Sequence, residues 1–305
     1  MNPAAQGKAP RLLRALRSAG LPCAALAFST LVSCDGDSTE SRQPQTPQEM
    51  YARAQELLRP NVEHHASDFA GALEYLKKAA EGGLLQAQTD LAALYLEGGK
   101  GVEKNPALAY EWFAKAAAAG SKEAHVFLGI LEYEGRGVAK DLPGAEAHWR
   151  IAAESGIADA QYRLGMALVQ KAESMQEGVE WLQKAARPGS RDGEPAAATA
   201  LGNIYANGTH GVQKDMALSA QWYERAAGAG DARAQMVFAV MLLTGDPVEK
   251  DAERGMAMLR MSAGQDNPQA IALLVRLLRN AENADDNEPE AAAWSKRLEQ
   301  LSKKK

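Results

Sequence analysis

Cysteine is nearly absent from this chain of 305 residues, and aromatic residues make up only 6% of it. The two cysteines, Cys23 and Cys34, both lie near the amino terminus, so no disulfide can staple the remainder of the chain. Strand-forming residues are also sparse, and alanine supplies much of the 46% hydrophobic share. Alanine loses no side-chain entropy in a helix and lets neighbouring helices approach closely. The composition therefore predicts an all-helical protein.

The amino-terminal segment has the order of charges and apolar residues that is typical of a secretory signal peptide. Lys8, Arg11, Arg14 and Arg17 precede an uncharged stretch at 19–33. This stretch is shorter than the roughly 20 residues that span a bilayer as a helix. We therefore predict that residues 1–33 are a cleaved signal peptide, with a retained transmembrane anchor as the alternative.

The uncharged stretch ends in Leu31-Val32-Ser33-Cys34, which resembles the lipobox of bacterial lipoproteins. The resemblance implies cleavage after Ser33, a diacylglycerol thioether on Cys34, and acylation of the new amino terminus, as with palmitate. Two or three acyl chains hold a protein on a membrane where one binds only marginally. Asp35 resembles the signal that keeps enteric lipoproteins in the inner membrane, so we expect the periplasmic face of that membrane, with the outer membrane as an alternative. A plain secretory signal with a free Cys34 is a further alternative.

The segment after the signal peptide is polar. Residues 34–48 contain prolines and, beyond the cysteine, no large apolar side chain, so we expect a disordered tether. Loss of residues 1–33 removes four basic residues and no acidic one, which leaves a net charge of about −9. This balance argues against nucleic acid as a partner. The lysines at 303–305 are expected to form a solvated tail.

Internal repetition dominates the chain from Glu49 onward. An alanine followed four residues later by leucine or phenylalanine recurs every 36 or 37 residues. Four residues is the spacing of neighbours on a helix, so each pair marks a helix, here called helix A. The pairs are Ala87/Leu91, Ala124/Leu128, Ala160/Leu164, Ala197/Leu201, Ala234/Phe238 and Ala270/Leu274.

A second helix, helix B, completes each unit. In most units it ends in Ala-Ala shortly before a glycine, and an aromatic residue three or four positions earlier is expected to be buried. Glycines at 98–101, 135–137 and 208–211 lie between helix A and helix B, where a positive φ can end a helix. No strand precedes these glycines, so they are not phosphate loops. Caps for helix B are expected at Asn105, Asp141, Asp215 and Asp251. The aromatic residues are Tyr75, Trp112, Trp149, Trp181, Trp222 and Trp294.

Three marks coincide most clearly at 124–156 and 200–230, namely Leu-Gly, Gly-x-Gly-Val or its longer form, and Trp-x-x-Ala-Ala or a close variant of it. Together they resemble the Sel-one-like repeats, relatives of the tetratricopeptide repeats, over roughly residues 49–301. The resemblance implies a right-handed α-α superhelix, a solenoid of about seven helix pairs within 49–305, with helices A on the concave side. Members typically serve as adaptors that assemble protein complexes, and lipoprotein members include scaffolds for exopolysaccharide export. The implied units are 49–83, 84–120, 121–156, 157–189, 190–230, 231–266 and 267–301.

Three units depart from the pattern. The first lacks the glycine turn and is expected to act as a cap. The fourth has Lys-Ala-Glu-Ser at 171–174 in place of that turn. The last has an acidic segment at 285–288, interpreted as a loop, and no Ala-Ala mark.

Catalytic and metal-binding constellations are not evident in the sequence. The histidines, His64, His65, His125, His148 and His210, lack the spacing of metal ligands. Cysteine-rich relatives of the resembled family have been linked to β-lactam binding or hydrolysis, but no Ser-x-x-Lys motif occurs here at a plausible site. We therefore predict no enzyme, cofactor, metal or small-molecule substrate, and keep a hydrolase of that type as the lesser alternative.

The favoured function is a membrane-tethered scaffold that binds other proteins of the bacterial cell envelope. The first alternative is peptidoglycan or exopolysaccharide binding through aromatic residues of helices A, such as Tyr95, Phe127 and Tyr162. Packing between repeats is favoured for these residues, because apolar stripes on helices usually face the core. If the concave face binds, the residues just before the repeated leucine are the candidates, among them Asp90, Phe127 and Arg163.

Overall fold

The structure, a computed structural model, describes residues 44–58, 68–99, 101–187, 194–281 and 284–303. In these ranges the chain forms fourteen α-helices, one short 3-10 helix and no strand. Two compact units meet at Ser155 and Gly156. No helix in the described ranges is long and apolar enough to cross a membrane. Cys34, Asp35, His64 and His65 lie outside the described residues, and so does the signal segment.

The first unit contains three helix pairs, and the helices of each pair pack side by side. The first pair is α1 with α2, and the next two place a helix A (α3, α5) before a helix B (α4, α6). The bounds are α1 Pro47–Leu58, α2 Phe69–Glu81, α3 Leu85–Glu97, α4 Pro106–Ala118, α5 Lys122–Glu134 and α6 Leu142–Glu154.

The second unit contains four further pairs, in which α7, α9, α11 and α13 are helices A. The seven pairs confirm the expected number. The bounds are α7 Ala158–Leu168, the 3-10 helix Ala172–Ser174, α8 Met175–Ala185, α9 Glu194–Asn207, α10 Met216–Gly228, α11 Ala232–Thr244, α12 Ala252–Gly264, α13 Pro268–Arg279 and α14 Ala284–Ser302.

The repeated alanines and leucines form the contact between each helix A and its neighbours. All six alanines are completely buried, and their leucine or phenylalanine partners are at most 2% exposed. The small side chain lets another helix approach, and the large one fills the space beside it. Gly129 shows how close the approach is, since a Cβ there would lie 2.5 Å from Nε1 of Trp149. The repeat therefore encodes the core of both units.

The expected burial of the helix B aromatics is correct for only part of the set. Trp149 is 3% exposed and Trp181 9%, but Tyr75, Trp112, Trp222 and Trp294 are only half-buried. The expectation merged two positions one residue apart, and one residue turns a helix by about 100°. The fully packed position lies three residues before the first alanine of Ala-Ala. Its occupants are Leu76, Phe113, Trp149, Leu182 and Tyr223.

The aromatic residues at the neighbouring position instead carry a cation over the ring, namely Tyr75, Trp112, Trp181 and Trp222. The cation comes from the residue three positions later, one turn along the same helix. Lys115 Nζ lies 3.9 Å from the ring centroid of Trp112, and Lys184 Nζ lies 3.7 Å from that of Trp181. Such contacts stabilise by about 0.5–1 kcal/mol at exposed sites. These aromatic side chains thus lie at the edge of the core, between buried residues and solvent.

The expected caps of helix B are confirmed. Each side chain accepts a hydrogen bond from the amide three residues later, at 2.8–3.1 Å. The capping residues are Asn105, Asp141, Asp215 and Asp251. Glycines with positive φ end the preceding helices A in the same units, at Gly98, Gly135 and Gly245.

Helix boundaries differ from the sequence expectation at both ends of the chain. Helix α1 begins at Pro47, two residues earlier than expected, because Thr46 and Glu49 form a capping box: the Glu49 amide donates to Thr46 Oγ1, and the Thr46 amide donates to Glu49 Oε2. The acidic segment 285–288 was wrongly interpreted as a loop. It lies in the first turns of α14, where acidic side chains favour the helix amino terminus.

Candidate protein-binding surface

The residue just before the repeated leucine or phenylalanine occupies the same place in every helix A, and we call this place the pre-leucine position. It carries side chains of very different size and charge, whereas the alanine and leucine around it repeat. Its occupants, from α3 to α13, are Asp90, Phe127, Arg163, Ala200, Val237 and Leu273.

Asp90 lies under α1 and is 1% exposed. Its carboxyl group accepts a hydrogen bond from Tyr51 Oη at 2.6 Å and another from Gln86 Nε2 at 3.1 Å. Burial raises the pKa of Asp90 to about 6, although both hydrogen bonds act to lower it. A predicted groove residue is thus part of the packing between α1 and α3.

Phe127 and Arg163 also have partners within the chain. The ring of Phe127 stacks on Phe113 of α4, with centroids 4.6 Å apart and planes at 8°. Arg163 Nε donates to Asp159 Oδ2 at 3.0 Å, and the arginine side chain is 16% exposed. A role in binding stays a prediction for all three residues.

A cavity of about 360 Å³ opens in the second unit at the pre-leucine position of α9, where Ala200 presents only a methyl group. Side chains from α7 and the residues just after it, from the first turn of α8, from α9 and the turn after it, and from the first turn of α11 surround it. We call it the A-helix cavity. Its lining consists of Tyr162, Met166, Val169, Gln170, Met175, Ala196, Thr199, Ala200, Asn203, Ile204, Thr209, His210 and Arg233.

The lining combines apolar side chains with polar groups and contains no carboxylate. Arg233 is exposed and forms no ion pair within the described part of the chain. The hydroxyl of Thr199 has no hydrogen-bond partner among the described residues, although the residue is only 7% exposed. Buried hydroxyls usually have partners, because an unmatched one costs about 1–3 kcal/mol. The cavity therefore has a cation in its lining and an unmatched hydroxyl buried in its wall.

Two hydrogen bonds hold the side chain of Asn203 in the cavity wall. Its Oδ1 accepts a hydrogen bond from Tyr223 Oη at 2.7 Å, and its Nδ2 donates to the Thr199 carbonyl at 2.9 Å. Burial raises the pKa of Tyr162, so this phenol stays neutral near pH 7 and retains a proton to donate. The polar groups are thus held in place by the fold.

A second polar cluster lies in the first unit, where α5 meets α6. Nδ1 of His125 and Nδ1 of His148 are 2.8 Å apart, so one ring donates and the other accepts. Nε2 of His148 lies 3.4 Å from Glu132 Oε1, which also accepts from Tyr110 Oη at 2.8 Å. Burial lowers the pKa of His125, and His148 and then Lys122 lower it further.

This cluster joins three helices through a buried carboxylate. Glu132 is 6% exposed, and its Oε2 has no partner within the described residues. Burial and then the contacts with Glu132 raise the pKa of Tyr110 to about 12. No group of three or more histidine, cysteine, aspartate or glutamate side chains in the described ranges could hold a metal ion. The arrangement suits a structural hydrogen-bond network.

The helix pairs and their repeat length agree with a known family model. The Sel1 repeat model matches residues 65–84, 85–121, 122–157, 158–190, 195–231 and 232–267, which together exceed half of the chain. The chain belongs to the Sel1 repeat family. Proteins built from Sel1 repeats are generally scaffolds for protein–protein interaction, and the fold is typically non-catalytic. The last helix pair, α13 with α14, lies beyond the matched Sel1 repeats.

Curated relatives share the repeat over part of their length. An uncharacterised protein of Neisseria meningitidis serogroup B is 28% identical over 207 residues, which is 68% of this chain and 42% of that protein. A chitin synthase regulator of Saccharomyces cerevisiae is 27% identical over 269 residues, which is 73% of this chain and 38% of the yeast protein. The Sel1 chain thus spans less than half the length of these relatives.

Solved structures share the fold more closely. A protective antigen of uropathogenic Escherichia coli with an SLR fold has a TM-score of 0.73 and 28% identity, covering 84% of this chain and 54% of that one. A Sel1 repeat protein from Oxalobacter formigenes has a TM-score of 0.67 and 28% identity, covering 76% and 94%. These likenesses confirm the all-α repeat fold.

Sequence reasoning did not find the A-helix cavity or the histidine pair. His125 and His148 were treated as separate residues. They are 23 residues apart in the sequence, and this separation places a residue of helix A opposite one of helix B in the same repeat. The cavity had a weaker signal: Ala200 is the small residue at a position that is otherwise larger. Thr199 and Arg233 carry no sequence signal of their own.

Proposed function

We propose that this Sel1 repeat protein is a membrane-tethered scaffold of the bacterial cell envelope that binds a partner protein at the A-helix cavity of its second unit. The observation that carries the proposal is the cavity itself, which opens among three helices A and is lined by both apolar and polar side chains. Binding sites combine these features. The family's general role in protein interaction supports the same conclusion.

The tether rests on the sequence at 1–35. A basic segment, an uncharged stretch and a lipobox-like Leu-Val-Ser-Cys support lipidation of Cys34. Asp35 supports retention in the inner membrane. The partners proposed are therefore other envelope proteins that face the periplasm.

A relative that carries the name chitin synthase regulator agrees with action through another protein. The repeat fold has the same implication, because each repeat contacts only its neighbours and leaves the rest of its surface free. Catalysis by the chain itself forms no part of the proposal.

The test is crosslinking in intact cells, followed by purification of the tagged full-length protein from membranes and mass spectrometry. Three forms are compared: the parent chain, Cys34→Ala, and Ala200→Trp, in which a bulky ring occupies the cavity. One dominant envelope protein should crosslink to the parent, be reduced with Cys34→Ala, and be lost with Ala200→Trp. Ala272→Trp, on the exposed face of α13, is the matched control and should retain the crosslink.

Other results would overturn parts of the proposal. A crosslink that Ala200→Trp leaves unchanged would place the partner elsewhere on the chain. Equal membrane recovery of the parent and Cys34→Ala would contradict the lipid anchor. Saturable binding of peptidoglycan fragments, together with no crosslinked protein, would replace the scaffold with glycan binding.

A further inference from the structure

We infer that the A-helix cavity recognises a carboxylate side chain next to an apolar one, in an extended segment of a partner protein. This inference deepens the proposed function and rests on it. In this recognition Arg233 pairs with the partner carboxylate. The apolar wall of the cavity receives the apolar side chain, and the Thr199 hydroxyl bonds to the partner segment.

The charge of the cavity lining favours an anionic ligand group. The chain contains more acidic residues than basic ones, and other arginines of the second unit, such as Arg260 and Arg279, form ion pairs. Arg233 lines the cavity without such a pair in the described ranges, and no carboxylate shares the lining. An exposed guanidinium beside a cavity favours an anionic group, which it can bind through two parallel hydrogen bonds.

Asp159 and Asp231 act electrostatically on Tyr162 of the cavity lining, and each already has a hydrogen-bond partner. Asp231 Oδ1 caps α11 by accepting from the Ala234 amide at 2.7 Å. Asp159 accepts from Arg163 at 3.0 Å. Neither belongs to the cavity lining, so the positive charge of Arg233 is not cancelled inside the cavity. The charge complementarity therefore favours an acidic ligand group.

Independently of charge, the hydroxyl of Thr199 favours a polar ligand group. Thr89 occupies the same place in α3, is equally buried at 7%, and donates its hydroxyl to the Leu85 carbonyl at 3.0 Å. The Thr199 hydroxyl has no such bond and belongs to a residue of the cavity lining. An unmatched buried hydroxyl gains most from a polar ligand. A peptide offers carbonyl and amide groups beside each side chain, which suits this hydroxyl.

The volume and the apolar wall of the cavity favour a small apolar group of the ligand. Met166, Val169 and Ile204 supply an apolar wall for a non-polar side chain. The volume of about 360 Å³ lies at the lower end of ligand-site volumes, which run from roughly 300 to 1,000 Å³. A cavity of this size suits one or two side chains of a partner segment.

The test uses an array of immobilised decapeptides. Every peptide has a glutamate near its centre with an apolar residue on each side, and the two apolar residues vary from peptide to peptide. A matched array has glutamine at the centre. The protein is the full chain with Cys34→Ala, and its variants are Arg233→Gln, Thr199→Val and the control Arg276→Gln, an exposed arginine of α13. Thermal unfolding of each variant verifies that the fold is retained.

We expect the glutamate peptides to bind about tenfold more tightly than the glutamine peptides, since a hydrogen bond to a charged group contributes that much or more. Arg233→Gln should remove this preference. Thr199→Val should weaken binding to the glutamate array and to the glutamine array by the same factor. Arg276→Gln should change neither the preference for glutamate nor the affinity. Binding of the glutamate peptides should also decline as salt is raised.

Three results would overturn the inference: equal binding of both arrays, a preference for glutamate that survives in Arg233→Gln, or self-association of the chain that Arg233→Gln abolishes. Binding to anionic phospholipid vesicles that requires Arg233, without binding to the array, would also overturn it. If the crosslinked complex forms in cells but the array shows no preference for glutamate, the scaffold stands and this inference fails. If neither is seen, both fail.

Discussion

The pre-leucine position is packed in the first unit, whereas at α9 of the second unit it opens beside a cavity. In the first unit the pre-leucine position is closed: Asp90 is covered by Tyr51 of α1, and Phe127 stacks on Phe113. In the second unit the same position carries Ala200 in α9 and lies beside a cavity of about 360 Å³. The alanines and leucines around it are buried in both units.

The difference shows that the repeat and the site are encoded separately. The repeated small and large side chains let neighbouring helices approach closely, and they are buried in each of the six helices A. The variable residue between them decides whether its surface is packed or open. Each substitution below changes one residue and is compared with a matched residue or a control.

Removal of the ring under Phe127 should have the largest effect. Phe113 is completely buried, so Phe113→Ala should cost about 3–5 kcal/mol of unfolding free energy. Phe127 is half-buried, so Phe127→Ala should cost roughly half as much. Urea denaturation followed by circular dichroism measures both. If Phe127→Ala left stability unchanged, the pre-leucine position of the first unit would not be a packing position.

The buried Asp90 should make the first unit sensitive to pH. Because its pKa in the folded state is raised to about 6, the unfolded chain ionises first as pH rises from about 4. The folded state therefore loses stability between pH 4 and pH 6, by about 3 kcal/mol. Asp90→Asn removes this loss, so the variant should be the more stable form at pH 7 and equal to the parent near pH 4.

Thermal melts of Asp90→Asn and the parent from pH 4 to pH 8 measure this effect. Glu111→Gln, at an exposed position in the middle of α4, serves as the control and should follow the parent across this range. A constant difference between Asp90→Asn and the parent across this range would show that the change acts through packing and not through ionisation.

The repeat could be recognised from the sequence because it is a matter of spacing. Alanines at intervals of 36 or 37 residues, glycine turns and capping side chains each specify a local structure, and the helices follow. The acidic segment 285–288 was misplaced because acidic residues suit both loops and the first turn of a helix. The helix B aromatics were misplaced by one residue for a similar reason, since spacing alone did not fix which side of the helix they face.

The site was less predictable because it depends on which side chains meet in space. Asp90 looked like a groove residue in the sequence, and only the position of Tyr51, 39 residues earlier, shows that it is covered. The cavity depends on Ala200, Thr199 and Arg233, which come from two helices and follow no shared spacing. Such contacts require three-dimensional coordinates.

Helix crossings should tolerate an added methyl group differently in the two units. In Gly129→Ala the new Cβ would lie 2.5 Å from Trp149 Nε1, whose indole is buried and donates to the Val126 carbonyl. In Gly202→Ala the nearest atom, Tyr223 Cδ1, is 3.0 Å away. The first change should cost about 1–3 kcal/mol and the second less.

Urea denaturation compares the two glycine variants with Gly228→Ala at the end of α10, where nothing lies within 4 Å of an added Cβ. That control should gain up to about 0.5–1 kcal/mol from helix propensity. A larger cost for Gly202→Ala than for Gly129→Ala would contradict the closer packing assigned to the first crossing.

The smallest effect separates the two matched threonines. Thr89→Val removes a hydroxyl that donates to the Leu85 carbonyl, so it should cost about 1 kcal/mol. Thr199→Val removes an equally buried hydroxyl that has no partner in the part of the chain that the structure describes, so it should be neutral or stabilise by up to about 1 kcal/mol. Differential scanning fluorimetry of the ligand-free protein compares them. Equal losses would mean that Thr199 is satisfied in the free protein, and its hydroxyl would then have nothing unused to offer a ligand.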